Sequence, residues 1–223
     1  MNPIYLAVIL GALFFVGMGY LAATFGFDTA PVWVSPLAII VIGIPAYAGT
    51  IRVIGLTHGS MLVTSLILLG TVIETIGAKT GIPYGAFTYQ SDLFGPMLFG
   101  LVPATVGLAW APLVLGATAL AQRITRILWL QILSGALILV GYDLILDPGA
   151  VAIGVWQYES GGWYFGVPLS NFFGWLVSGS IGCGLTRYWV GRKQVLPGII
   201  SISLIFSATF WIGVMLSIYL SSV

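Results

Sequence analysis

The chain has 223 residues, of which 59% are apolar and 6% charged, with a net charge of +1 and a mean hydropathy of +1.10. A water-soluble domain carries about 25% charged residues, so this chain cannot cover a surface with polar groups, and its solvent is lipid. No run of like charge marks a nucleic-acid partner, and the single Cys183, without an internal disulfide partner, is expected to pack between helices.

A spanning helix needs roughly 20 apolar residues, and seven stretches qualify, at about 3–24, 33–54, 61–78, 96–120, 127–147, 168–189 and 196–220. The expected fold is all-α, a bundle of about seven transmembrane helices forming one integral membrane domain over residues 1–223. The first stretch has no basic residue ahead of Ile4 and no small-residue cleavage site before Asp28, so it reads as a retained helix. Pro36 and Pro45 predict a kinked second helix. Glu74 falls about one turn before the end of the third. An aromatic tract with Tyr84, Phe87, Tyr89 and Phe94 then leads into the fourth. The fifth carries Asp143 and Asp147 an i, i+4 step apart on one face, with Pro148 expected to end it. A second aromatic tract holds Trp156, Tyr158, Trp163, Tyr164 and Phe165, and Asn171 is the one amide at the entrance of the sixth helix, followed by Phe172, Phe173 and Trp175. The seventh contains no Lys.

Positive charge accumulates on the cytoplasmic side of membrane proteins. Arg52, Arg123, Arg126, Arg187, Arg192 and Lys193 fall near the loops after helices two, four and six, and only Lys79 falls opposite. The amino terminus is therefore expected to be cytoplasmic, in a multi-pass protein of the cell membrane. All six acids, Asp28, Glu74, Asp92, Asp143, Asp147 and Glu159, belong to the outer half.

Residues 74–91, ETIGAKTGIPYGAFTYQS, and 143–160, DLILDPGAVAIGVWQYES, match at a constant offset of 69 that pairs Glu74 with Asp143, Phe87 with Trp156 and Tyr89 with Tyr158. An aromatic-Gly step follows in each, Phe94-Gly95 and Phe165-Gly166. A parallel internal repeat of helices 3–4 and 5–6 is one reading, and a cavity at the interface of such copies is common in membrane bundles. The other is chance similarity in a chain of few letters.

Glu74 and Asp143 should lie below the interface, where an ionised carboxyl costs roughly 2.5–3.5 kcal/mol on insertion scales, so each faces the interior, pairs, or keeps its proton. One reading makes them ties between helices; the other makes them proton donors. Asp143 and Asp147 repel if both are charged, and sharing one apolar site makes an acid and a base of two identical side chains, although Asp147 before a proline also suits a helix stop. Asp92 and Glu159 lie in the loops proper and are expected to be solvated. The aromatic tracts suit an interfacial belt, yet ring faces also stabilise a cation by roughly 0.5–2 kcal/mol each. Asn171 would position a water.

One His, His58, cannot build the His clusters of membrane di-iron enzymes, no mid-span Lys offers a retinal attachment point, and no phosphate loop follows a strand pattern. A proton-transfer reaction on an apolar substrate, with neither cofactor nor metal, passes this sieve.

The tracts from Glu74 to Pro103 and from Asp143 to Trp175 resemble the carotenoid-biosynthesis membrane family, which includes the carotenoid 1',2'-hydratases acting on gamma-carotene or lycopene ends and the bisanhydrobacterioruberin hydratase type. The resemblance implies addition of water across the terminal C1–C2 double bond of an acyclic carotenoid end, leaving a tertiary alcohol. A proton added at C2 gives a tertiary cation at C1, which needs an acid, a dry ring-lined pocket and one positioned water. The candidates are Glu74 or Asp143 as the acid and Asp147 activating water. Tyr84, Phe87, Tyr89, Trp156, Tyr158, Tyr164, Phe165, Asn171 and Trp175 would surround the substrate. The partners expected are a carotenoid, the bilayer and other carotenoid-pathway enzymes. The near-neutral pI of about 7.8 favours a bacterial substrate over a bacterioruberin precursor.

A carotenoid cyclase starts with the same proton and traps the cation with an internal double bond. The proline-led acidic motif of membrane-type lycopene cyclases is absent, since Tyr84 follows Pro83 and Gly149 follows Pro148. A small proton-coupled transporter would want polar residues through the whole membrane thickness, whereas the acids occupy one half. A scaffold subunit for pigment enzymes would use the acids structurally.

Overall fold

The computed structural model describes residues 3–26, 31–90, 95–191 and 194–222. Asp28, Ser91, Asp92, Phe94, Arg192 and Lys193 lie outside them. Seven helices run α1 Pro3–Phe25, α2 Val34–Ile54, α3 Leu56–Thr80, α4 Val106–Ile124, α5 Leu128–Ala152, α6 Leu169–Val190 and α7 Ile202–Ser221, the last entered through a 3-10 turn at Gly198–Ser201. At about 1.5 Å per residue, the 25 residues of α3 or α5 more than cover a hydrocarbon core of about 30 Å. Helices α1, α2, α3, α5 and α7 are each long and apolar enough to cross a membrane.

Two expected boundaries are corrected. The fourth helix begins at Val106 instead of near residue 96, because residues 97–103 form a short hairpin, β2 Met97–Leu98 against β3 Val102–Pro103. Its turn places Phe99 and Gly100 at φ 54° and 68°, a left-handed pair incompatible with a helix. The fifth helix does not stop at Pro148 but runs on to Ala152. Pro148 removes the donor that would bond the Leu144 carbonyl, and the Tyr164 hydroxyl donates to that carbonyl at 3.0 Å. Pro112 inside α4 repeats the device: the freed Leu108 carbonyl accepts from Tyr47 Oη at 2.7 Å. A tyrosine hydroxyl from a neighbouring element thus satisfies the carbonyl that each of these two prolines frees.

Short strands, absent from the sequence reading, also tie the candidate repeat together. Strand β1 Phe87–Tyr89 pairs antiparallel with β4 Trp156–Tyr158, in the register Phe87↔Tyr158, Thr88↔Gln157, Tyr89↔Trp156. The residues that match at the offset of 69 are exchanged across the ribbon, which is the arrangement a two-fold relation between the copies produces. Flanking bonds obey the same relation, Gln90 N–H to the Val155 carbonyl and Glu159 N–H to the Ala86 carbonyl, both at 2.9 Å.

Helix α4 is the buried centre, packed against α2, α3, α5, α6 and α7. Without water to drive them together, membrane helices associate through close backbone approach at small residues. Cys183 shows this, its thiol buried against Gly135. Helix α1 packs chiefly on α7, where a Cβ on Gly19 would collide with the Phe210 carbonyl and one on Gly213 with the Val16 carbonyl. Gly213→Val should therefore destabilise by about 1–3 kcal/mol. Thermal unfolding in detergent checks this: Tm falls for Gly213→Val and stays unchanged for Gly17→Ala, whose added methyl meets nothing within 4 Å.

Candidate functional site

The carboxyl ends of α3 and α5 and the amino end of α6 meet at one end of the bundle, beneath the β1–β4 ribbon. There a cavity of about 620 Å³ opens, within the roughly 300–1,000 Å³ of small-ligand sites. Of the expected residues, Glu74, Tyr84, Phe87, Tyr89, Asp147, Trp156, Tyr158, Asn171 and Trp175 line it.

The polar part of the wall is compact. Glu74 is buried, and Tyr89 Oη donates to its Oε2 at 3.2 Å. Across the repeat, Tyr158 Oη donates to Asp147 Oδ2 at 2.8 Å. The matching tyrosines thus each hold a carboxyl, but the second holds Asp147, one turn beyond the counterpart of Glu74. Asn171 spends both amide hydrogens on acids, from Nδ2 to Asp143 Oδ2 at 2.6 Å and to Asp147 Oδ2 at 2.5 Å. Burial first, and then the nearby carboxyls, push the phenols of Tyr84, Tyr89 and Tyr158 well above the usual tyrosine range. At neutral pH they remain donors, which suits them to orient acids without taking protons from them.

Asp143 is fully buried and stands behind Asn171 instead of on the cavity wall. Its Oδ1 has no hydrogen-bond partner among the described residues. Tyr164 and Phe165 are likewise left out of the wall. Tyr164 is committed to the Leu144 carbonyl, and Phe165, in a left-handed turn at φ 52°, is turned outward and 66% exposed. Glu159 is exposed, as expected of a loop acid.

The rings make a continuous wall. Centroids lie 6.3 Å apart for Tyr84–Phe87, 5.6 Å for Phe87–Tyr89, 5.6 Å for Tyr89–Trp156 and 5.8 Å for Phe87–Tyr158. Edge-to-face contacts of this kind hold the ring faces fixed. Gly174 makes room for Tyr84, since a Cβ there would fall on its ring.

Several wall residues were not singled out in the sequence. Trp110 of α4, Tyr142 of α5 and Trp211 of α7 close the cavity floor, with Tyr142 Oη and Ser207 Oγ bonded at 2.7 Å. Much of the remaining wall comes from α1 and α2, including Phe14, Leu21, Leu37 and Val41. These side chains are also exposed on the outer face of the bundle, so the cavity opens sideways between two helices that barely touch.

The profile of the family described as carotenoid biosynthesis protein matches residues 31–222. Over 145 residues the chain is 43% identical to a Haloarcula japonica protein named bisanhydrobacterioruberin hydratase, covering 63% of this chain and 48% of that relative. The chain therefore spans about half the length of the curated relative it matches. No solved structure matches the chain.

Proposed function

Because the chain belongs to the carotenoid biosynthesis protein family, we propose that it is a hydratase of acyclic carotenoid ends. It would act in the cell membrane, with the amino terminus cytoplasmic and the chamber toward the outer leaflet. One observation carries this reading: Glu74 and Asp147, from the two copies of the repeat, converge on one aromatic-walled apolar cavity open to the bilayer.

The roles follow from the surroundings. Asp147 receives two donated hydrogen bonds, from Tyr158 and Asn171, and donors of that kind favour a carboxylate. Glu74 has the single longer bond from Tyr89 and faces apolar surroundings, the setting of a carboxylic acid. Glu74 gives its proton to C2 of the terminal alkene, the π pair forms the new C–H bond, and a tertiary cation is left at C1. The faces of Tyr89, Trp156 and Tyr158 stabilise that charge. Water adds its oxygen at C1 and loses a proton to Asp147, giving the tertiary alcohol. Return of that proton to Glu74 resets the site, and the balance is one water gained. Asp143 and Asn171 hold Asp147 in place.

Expression in a pigment-producing bacterial host that supplies lycopene or gamma-carotene tests the function. A more polar product heavier by one water supports it. An isomer of unchanged mass and altered absorption means cyclisation, and unchanged pigment under good expression rejects both. The side opening gives a further prediction. Ala22→Trp and Ala38→Trp, which place indoles in the α1 and α2 walls, should raise KM for the carotenoid by roughly tenfold, about 1.4 kcal/mol of lost binding. A KM unchanged by both would place the entrance elsewhere.

A further inference from the structure

The far end of the bundle, where α4 and α6 finish and α5 begins, encloses a second recess of about 530 Å³. It is built from residue types the carboxyl end lacks. Gln122, Arg123, Arg126, Gln131, Arg187 and Gln194 line it, so among the described residues three guanidinium groups converge on one space with no acid in its wall.

A helix that ends on a basic residue ordinarily needs no ligand, because the last carbonyls attract cations. Arg123 is explained in that way: it donates to the carbonyls of Ala119 and Leu196. Arg187 is not. It is 5% exposed, its Nη1 reaches the Gln194 carbonyl only at 3.4 Å, and its Nε is buried with no partner among the described residues. Gln131 is 6% exposed, and its Nε2 is engaged with the Thr125 carbonyl at 2.9 Å while its Oε1 is also buried without a partner among the described residues. A buried guanidinium with an idle donor and no counter-charge is costly unless something fills the need. The wall itself is braced: Gln122 Nε2 donates to the Gln194 carbonyl at 3.1 Å, and its Oε1 accepts from Leu196 N–H at 2.8 Å.

We propose that this recess binds a phosphate oxyanion, either the headgroup of an anionic phospholipid or free phosphate. Arg187, in the wall, offers the guanidinium fork that matches two oxygens of a phosphate. Arg123 and Arg126 supply the remaining positive charge, and Gln131 adds an amide to the same wall. The site is independent of the carboxyl-lined cavity and of the reaction assigned to it.

The test uses the full chain purified in detergent and titrated with inorganic phosphate, with dioctanoyl phosphatidylglycerol and with dioctanoylglycerol, which lacks the phosphate. Saturable upward shifts of Tm are expected with a phosphate-bearing probe and not with dioctanoylglycerol. A shift with inorganic phosphate identifies a free-anion site; a shift with phosphatidylglycerol alone identifies a headgroup site. Arg187→Gln should weaken the apparent Kd by about tenfold or more, the worth of a charged hydrogen bond. Arg126→Gln, a change at an exposed side chain that leaves folding intact, should weaken it in the same direction. Arg52→Gln, exposed at the end of α2 and outside the recess, should leave it unchanged. No saturable shift with either phosphate probe, or equal weakening by Arg52→Gln, overturns the proposal.

Discussion

Glu74→Gln is expected to leave the bundle folded and to cut carotenoid hydration by about a hundred- to ten-thousandfold, the usual worth of a positioned general acid. The amide has nearly the same volume, and its oxygen can still accept from Tyr89 Oη as Glu74 Oε2 does, so the wall keeps its shape. What it loses is a hydrogen acidic enough to move onto carbon. Glu74→Asp keeps the acid but withdraws it by one methylene, and a displacement on the order of 1 Å costs about a hundredfold in a positioned reaction. A purely structural Glu74 predicts the reverse ranking, with Tm falling in step with activity. Product formation per folded molecule, with Tm measured on the same preparations, separates the two.

Asn171→Leu should cost about 3–5 kcal/mol of stability along with the activity, the penalty for removing one member of a buried charged network. Its Nδ2 is the shared donor to Asp143 and Asp147. Asp143 already has an Oδ1 without a partner among the described residues, and without Asn171 its other oxygen joins it. The double variant Asp143→Leu, Asn171→Leu replaces donor and acceptor together, so it should recover part of the lost Tm. It should not recover activity, because Asp147 remains without its second donor. Additive losses in the double variant would mean that the two side chains do not form a coupled unit.

The legible parts of this site were those where sequence and structure share a period. Glu74, Asp147 and Asn171 stand out in a chain with 6% charged residues, since a polar group is costly in a helix that could be all apolar. The offset of 69 showed in the aromatic tracts, and the ribbon register Phe87↔Tyr158 and Tyr89↔Trp156 follows from two similar segments meeting face to face. Other features had no local cause. Whether α5 stops at Pro148 depends on a hydroxyl from Tyr164, which no window around the proline contains. Phe14 and Leu37 read as lipid-facing in any hydropathy pattern, and only the separation of α1 from α2 makes them cavity wall. Phe165 shares the composition of its neighbours, but a left-handed backbone turns it away. Arg187 fits the basic end of a helix by sequence, and only the fold shows it buried, with its Nη1 3.4 Å from the Gln194 carbonyl.

Reaction in heavy water is the most direct test of proton transfer followed by capture of water. Purified protein incubated with an acyclic carotenoid in D2O should yield an alcohol with one deuterium fixed at C2, its carbon-bound label retained after washing in ordinary water. An alcohol without deuterium at C2, or a deuterated isomer with no added oxygen, would contradict the account.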